Sequence, residues 1–209
     1  MKLEKITARY GDLTVLKDFS LELPDSGIIC FFAPSGTGKT TLLNLLCGLM
    51  QPETGQILGL EHKKFAFVFQ EDRLIPSLSA RDNVGLVLNR EHQSLAARYL
   101  SELGLSDWET ATPAQLSGGM QRRVAIARAF AYAEQCGKQA VYLLDEPLKG
   151  LDEKTAQQTL RLIRRWVGGQ LAFFITHDHN QARQIADLIV SFDGRPMQVV
   201  QIEQNIPQI

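Results

Sequence analysis

The chain has 209 residues, 44% hydrophobic and 22% charged, with no low-complexity tract, which is a globular composition and excludes disorder. Lys plus Arg number 22 against 23 Asp plus Glu, so a formal net charge of −1 gives no overall electrostatic footprint for nucleic acid. Cys30, Cys47 and Cys136 form neither a CxxC pair nor a His/Cys cluster, which argues for reduced buried thiols in the cytosol rather than disulfides or zinc.

The N-terminus lacks the basic-then-apolar pattern of a signal peptide, and no apolar run approaches the roughly 18 residues of a membrane span, so a soluble chain is expected. Short runs rich in Ile, Leu, Val, Phe and Tyr predict strands over 2–10, 15–23, 27–33, 65–70, 139–145, 170–176 and 188–193. Several, such as GIICFFA and AVYLLD, are continuously apolar, as parallel strands buried on both faces require. Helical patterns cover 39–49, 80–89, 93–104, 118–134, 153–167 and 178–186. Ser79 and Asp82 have the spacing of a capping box, and Asp152 is placed to cap a helix whose Ala156, Leu160, Ile163 and Val167 share a face. Strands dominate 1–70, helices dominate 71–137, and strand–helix alternation returns over 138–209. One α/β domain with an inserted helical segment fits this better than two independent domains.

Residues 33–41, APSGTGKTT, lie directly between the apolar run IICFF and the helical LLNLLCGL. Strand, glycine-rich turn and helix in that order is the context of a phosphate-binding loop. Gly36 and Gly38 let the backbone of the loop, which also holds Pro34, Ser35 and Thr37, curl so that the N–H groups after the proline point inward, and the following helix adds its positive end. Lys39 is placed to bridge the β- and γ-phosphates of a nucleoside triphosphate, and the Thr40 hydroxyl, followed by Thr41, to meet magnesium. The usual pattern begins with glycine, where this chain has Ala33. Further along, VYLLDEP (141–147) is an apolar strand ending in two carboxylates. Ligands of open α/β sheets bind at that end of a strand. Asp145 is the candidate for holding Mg2+ and Glu146 for accepting a proton from an attacking water.

Between these motifs, LSGGMQRR (116–123) puts a capping serine and two glycines at a helix start, a costly choice for a helix. With the phosphate loop and the acidic strand end in the same order, it is similar to the signature motif of ABC transporter ATP-binding subunits, and the resemblance covers nearly the whole chain. It implies a P-loop NTPase core with a parallel sheet, an N-terminal antiparallel β subdomain and an inserted α-helical subdomain. It also implies two subunits paired head to tail, as homodimer or heterodimer, with Ser117, Gly118 and Gly119 of one covering the γ-phosphate of ATP held by the other, where a Cβ would block the approach. Tyr10 resembles the aromatic that stacks on adenine, although an ordinary strand-end tyrosine is the competing reading. Gln70 resembles the glutamine that contacts magnesium and water, and His177 the switch histidine on the γ-phosphate.

LKGLD (148–152) stands where much of the family reads SALD, so Leu151 and Asp152 match and Lys149 and Gly150 depart. Residues 71–84, with Leu74, Ile75, Pro76 and Leu78, occupy the groove that receives a coupling helix in the family, or else a satellite core beneath the helices. Their wording resembles importers of the nitrate, sulfonate and taurine type. The resemblance therefore implies an ATPase on the cytoplasmic face of the membrane, driving a transmembrane permease, with a substrate-binding protein in the same system and no nucleic-acid partner. A soluble ABC ATPase of iron–sulfur cluster assembly would share every site residue and stays open. A DNA-repair type would need a long coiled-coil or zinc insertion, and a small-molecule kinase would not need LSGGMQRR. After QIEQNIPQI no C-terminal regulatory domain is expected.

Overall fold

The computed structural model describes residues 1–207, and its backbone groups into two compact units. One comprises residues 1–63 and those from 167 onward; the other comprises 64–166. Among the described residues no helix is long and apolar enough to cross a membrane.

In the first unit, strand β1 (Lys2–Tyr10) lies between β2 (Leu13–Glu22) and β4 (Thr54–Leu58) in a three-stranded antiparallel sheet. Simple alternation would put Leu3 and Ile6 on opposite faces, yet both are fully buried. The register shifts between them, where Lys5 takes a left-handed φ of 48°, and such a bulge returns the apolar set to one face. Gly55 belongs to the same irregularity: a Cβ there would meet the Glu4 carbonyl oxygen at 2.3 Å. Strand β3 (Ile28–Phe32) pairs in parallel with β7 (Ala172–Thr176) and β8 (Leu188–Asp193), and β9 (Gln198–Gln204) adds antiparallel to β8. Phe31 packs its ring 5.2 Å from Phe173 and 5.3 Å from Phe192. Helix α1 (Lys39–Leu46) buries Leu42, Leu43, Leu45 and Leu46. Helix α6 (His179–Ile185) is capped by Asp178, whose carboxylate accepts from the Asn180 and Gln181 amides.

Strands β4 and β9 are absent from the expected elements. Their sequences, TGQIL and QVVQIEQ, are half-polar and mostly exposed, so neither carries the apolar run that marks a buried strand.

In the second unit, β5 (Lys64–Val68) pairs in parallel with β6 (Ala140–Asp145), every residue of which is buried. Helices α2 (Ala80–Gly85) and α3 (Ser94–Glu102) pack on α4 (Gly118–Cys136), which also packs on both strands. Helix α5 (Glu153–Val167) begins where the Asp152 carboxylate accepts from the Thr155 amide at 3.0 Å. Phe130 of α4 anchors an aromatic cluster, 4.8 Å from Tyr142 and 5.1 Å from Trp166, with Tyr99 set edge-on against Trp166. Tyr142 lies deep enough that burial pushes its phenol up to about 12. Glu134 accepts from the Tyr99 hydroxyl at 2.7 Å and pairs with Arg98.

Helix α2 ends earlier than the expected 80–89. Ser79 caps it, its hydroxyl accepting from the Asp82 amide at 3.0 Å, while the Asp82 carboxylate accepts from that same hydroxyl at 2.6 Å. The turn before it is organised by the fully buried Asn83. Its Oδ1 accepts from the Ile75 amide at 2.7 Å, and its Nδ2 donates to the carbonyls of Ile75, Leu78 and Ser79. Replacing it takes the partner from the Ile75 amide and the Leu78 carbonyl, while the Ile75 and Ser79 carbonyls keep the amides of Leu78 and Asn83. Asn83→Ala is expected to lower unfolding stability by roughly 2–3 kcal/mol, read from denaturant melts; a loss below about 0.5 kcal/mol would show that water replaces the amide.

Candidate active site

The first unit carries the phosphate loop. Strand β3 ends at Phe32, the loop follows, and α1 starts at Lys39 with Gly38 as its N-cap and no capping side chain. Gly36 and Gly38 have φ of 79° and 108°, and Cβ atoms there would meet Arg195 Nη2 at 2.3 Å and Val15 Cγ1 at 2.4 Å. Both positions favour glycine for their left-handed conformation, and Gly38 also for space, since the Arg195 guanidinium beside Gly36 can swing aside.

The Thr37 hydroxyl donates to the Pro34 carbonyl at 2.8 Å and braces the loop. Lys39 is buried, with Nζ donating to the carbonyls of Ala33 at 2.6 Å and Pro34 at 2.8 Å, so its charge is held within the loop. Beneath it, burial pushes the Cys30 thiol up, with the nearby Lys39 charge opposing, so this cysteine stays a neutral core residue. Pro34, Ser35 and Thr40 are exposed, whereas Thr41 is buried.

Thr176, the last residue of β7, is paired in register with Phe32, so His177 and the phosphate loop leave the sheet side by side. His177 is exposed, and the Thr176 hydroxyl accepts from the Asp178 amide at 3.1 Å just beyond it. Tyr10 ends β1 and is 52% exposed, which leaves its ring available for stacking.

The second unit carries the remaining candidates. Val68 of β5 is paired with Leu144 of β6, so the segment with Gln70 and the pair Asp145–Glu146 emerge at one edge. Asp145 is buried, Gln70 is exposed, and Glu146 takes a left-handed φ of 47°. For a residue other than glycine that backbone is strained.

A guanidinium holds it. Arg122, on α4, is 2% exposed. Its Nη2 donates to the Asp145 and Glu146 carbonyls at 2.9 and 2.7 Å, and its Nε to Pro147 at 3.0 Å. Its Nη1 donates to the Phe69 and Gln70 carbonyls at 2.6 and 3.4 Å and pairs with the Asp72 carboxylate at 3.0 Å. Arg128, one and a half turns further along α4, donates to the carbonyls of Asp72 and Arg73. Burial pulls the Arg128 guanidinium below its ordinary value, with the Asp72 charge opposing. Neither arginine is among the residues singled out from sequence. The signal was there in Arg122, which stands at helical spacing with the buried Ala125, Ile126, Ala129 and Ala133, a charge on an apolar stripe.

Ser117 caps α4, accepting from the Met120 amide at 3.3 Å. A Cβ at Gly118 would meet nothing within 4 Å, whereas at Gly119 it would meet the Gly150 carbonyl and Leu151 Cδ2, both at 3.4 Å. Gly119 thus has a reason within its own unit, the approach of the LKGLD turn. Among the described residues Gly118 has none. Gly150 has a φ of 79°, so the departure from the family's alanine goes with a backbone that favours glycine.

The phosphate loop after β3 and the acid-tipped strand β6 define the class, a P-loop nucleotide-binding α/β protein. A family model described as ABC transporter matches residues 16–149. The sulfate/thiosulfate import ATP-binding protein CysA of Synechocystis is 34% identical over 97% of this chain and 61% of its own length. The aliphatic sulfonates import ATP-binding protein SsuB of Zymomonas mobilis is 36% identical over 92% of this chain and 82% of its own. This chain therefore spans less than two thirds of the first of these relatives. Among solved structures, the ATP-binding cassette MJ0796, in a dimeric post-hydrolysis state bound to ADP and Pi, is 29% identical over 97% of both chains with a TM-score of 0.83. The chain belongs to the ABC transporter family, and its fold is that of an ABC ATPase.

Gly118 separates packing from ligand approach. Gly118→Ala is expected to leave melting temperature unchanged or raise stability by up to about 1 kcal/mol, since alanine favours the helix. The same change is expected to lower ATP turnover about tenfold or more, a loss of ~1.4 kcal/mol. Equal turnover at equal stability would remove this glycine from the site.

Proposed function

We propose that this chain hydrolyses ATP as one of two head-to-tail subunits, alike or different, and powers import through a transmembrane permease from the cytoplasmic side of the membrane. The observation that carries the reading is the phosphate loop, a buried lysine at the start of a helix with no capping side chain, preceded by two glycines in left-handed backbone. The relatives are named as import ATP-binding proteins, which favours transport over iron–sulfur cluster assembly, and the dimeric cassette supports pairing. Their sulfate and sulfonate names favour a sulfur oxyanion as cargo, delivered by a substrate-binding protein and chosen by other chains.

In this reading Tyr10 stacks on the adenine, and Lys39 with the loop amides from Ser35 to Thr41 holds the phosphates. The Thr40 hydroxyl, the Gln70 amide oxygen and the buried Asp145 carboxylate are hard oxygen donors, a set that fits magnesium. Mg2+ would supply neutralisation of charge on the β- and γ-phosphates. Glu146 takes a proton from the attacking water as its oxygen bonds to the γ-phosphorus and the bond to the β–γ bridging oxygen breaks, giving ADP and phosphate. His177 steadies the γ-phosphate. Ser117, Gly118 and Gly119 of the second subunit cover that phosphate, so closure completes the site and hydrolysis releases it. Residues 71–84 then pass the movement to the permease.

The test is the oligomeric state of Glu146→Gln with magnesium-ATP, by size-exclusion chromatography with light scattering. The variant is expected to bind ATP, to hydrolyse it at least about 100-fold more slowly, and to shift from monomer to dimer. Turnover at the parental rate would remove Glu146 from its role. Failure to bind ATP would overturn the reading of the phosphate loop. Copurification with a membrane protein, as opposed to a soluble scaffold, separates transport from cluster assembly.

A further inference from the structure

We propose that Arg122 is a positioning residue for hydrolysis, a rigid fork that sets Gln70 and Glu146 relative to each other. The inference rests on the roles given above to those two residues. Its ground is that one guanidinium grips both turns at once. Nη1 holds the carbonyls of Phe69 and Gln70, while Nη2 holds those of Asp145 and Glu146 and Nε that of Pro147. A guanidinium is planar and its donors diverge at fixed angles, so the separation between the turns follows from the group's own dimensions.

The Glu146 backbone is the part most in need of a hold. At a φ of 47° it occupies a region that a side chain disfavours, and only surrounding contacts keep it there. If the carbonyl at Glu146 swings, the carboxylate swings with it. Misplacement of a catalytic base by about 1 Å is enough to cost a large part of the rate. Five carbonyls and a single carboxylate, Asp72, surround the charge, and Arg122 is 2% exposed, so the cage is closed to water. A bare fold-holding role would be met more simply by apolar packing, since burying a charge is itself unfavourable.

Arg128 provides the contrast. It grips the same segment on the Gln70 side, through the Asp72 and Arg73 carbonyls, and has no bond to Asp145 or Glu146. A lysine at 122 keeps the charge beside Asp72 but presents its donors from one point, so it cannot span both turns.

The experiment compares Arg122→Lys, Arg128→Lys and Glu146→Gln, measuring melting temperature, ATP Kd, and steady-state kcat and KM well below the melting temperature. Arg122→Lys is expected to lower kcat about tenfold or more with Kd and KM within about threefold of the parent, whereas Arg128→Lys loses stability and keeps kcat. Should Arg122→Lys fail to fold, Arg122→Gln, neutral and without a buried charge to satisfy, carries the same comparison. An unchanged kcat in the folded 122 variant, or equal losses in the 122 and 128 variants, overturns the inference. If Glu146→Gln retains turnover, the failure belongs to the reading of Glu146 and not to Arg122.

Discussion

Parallel strands impose the constraint on which the rest depends. Each needs a long return connection, so it is covered on both faces and its turns gather at the ends. IICFF and AVYLLD are buried almost throughout, and only where they stop does polar backbone reach solvent. Within each unit the residues with chemistry therefore sit just past the last paired positions. The phosphate loop and His177 follow Phe32 and Thr176; Gln70 and Glu146 follow Val68 and Leu144 by a residue or two. Burial of the strands and exposure of the site have one cause.

The turns at these ends are held by different means. Around the phosphate loop the strain is taken by glycines, which lose little in left-handed backbone. At Glu146 the left-handed backbone carries a side chain and is held from outside by Arg122. The same helix begins with Ser117 and Gly118, so the glycine-rich helix start and the strut beneath the acidic turn lie on one rod.

Much of this was legible in order and spacing. Apolar runs marked the buried strands, the glycines between β3 and α1 marked the phosphate loop, and Asp152 and Ser79 capped the helices assigned to them. Strands β4 and β9 were not legible, because an exposed strand has no apolar pattern to show. Helix α2 stopped short of its expected end because Gly85 is a poor helix former, and beyond it the Leu88 amide turns to the Gly85 carbonyl while Gln93 Nε2 donates to the carbonyls of Gly85 and Leu88.

The sequence by itself determined the class of the protein, because phosphate binding and the signature helix each need particular residues in consecutive order, and consecutive order is what a sequence displays. Tertiary structure alone decided what surrounds Gly119, Gly118 and Arg122. Gly119 lies against Gly150 and Leu151, a Cβ at Gly118 would meet nothing among the described residues, and Arg122 gathers carbonyls from positions 69 and 70 and from 145 to 147. Backbone carbonyls have no letter of their own, and which of them converge on one buried charge depends on how distant turns pack.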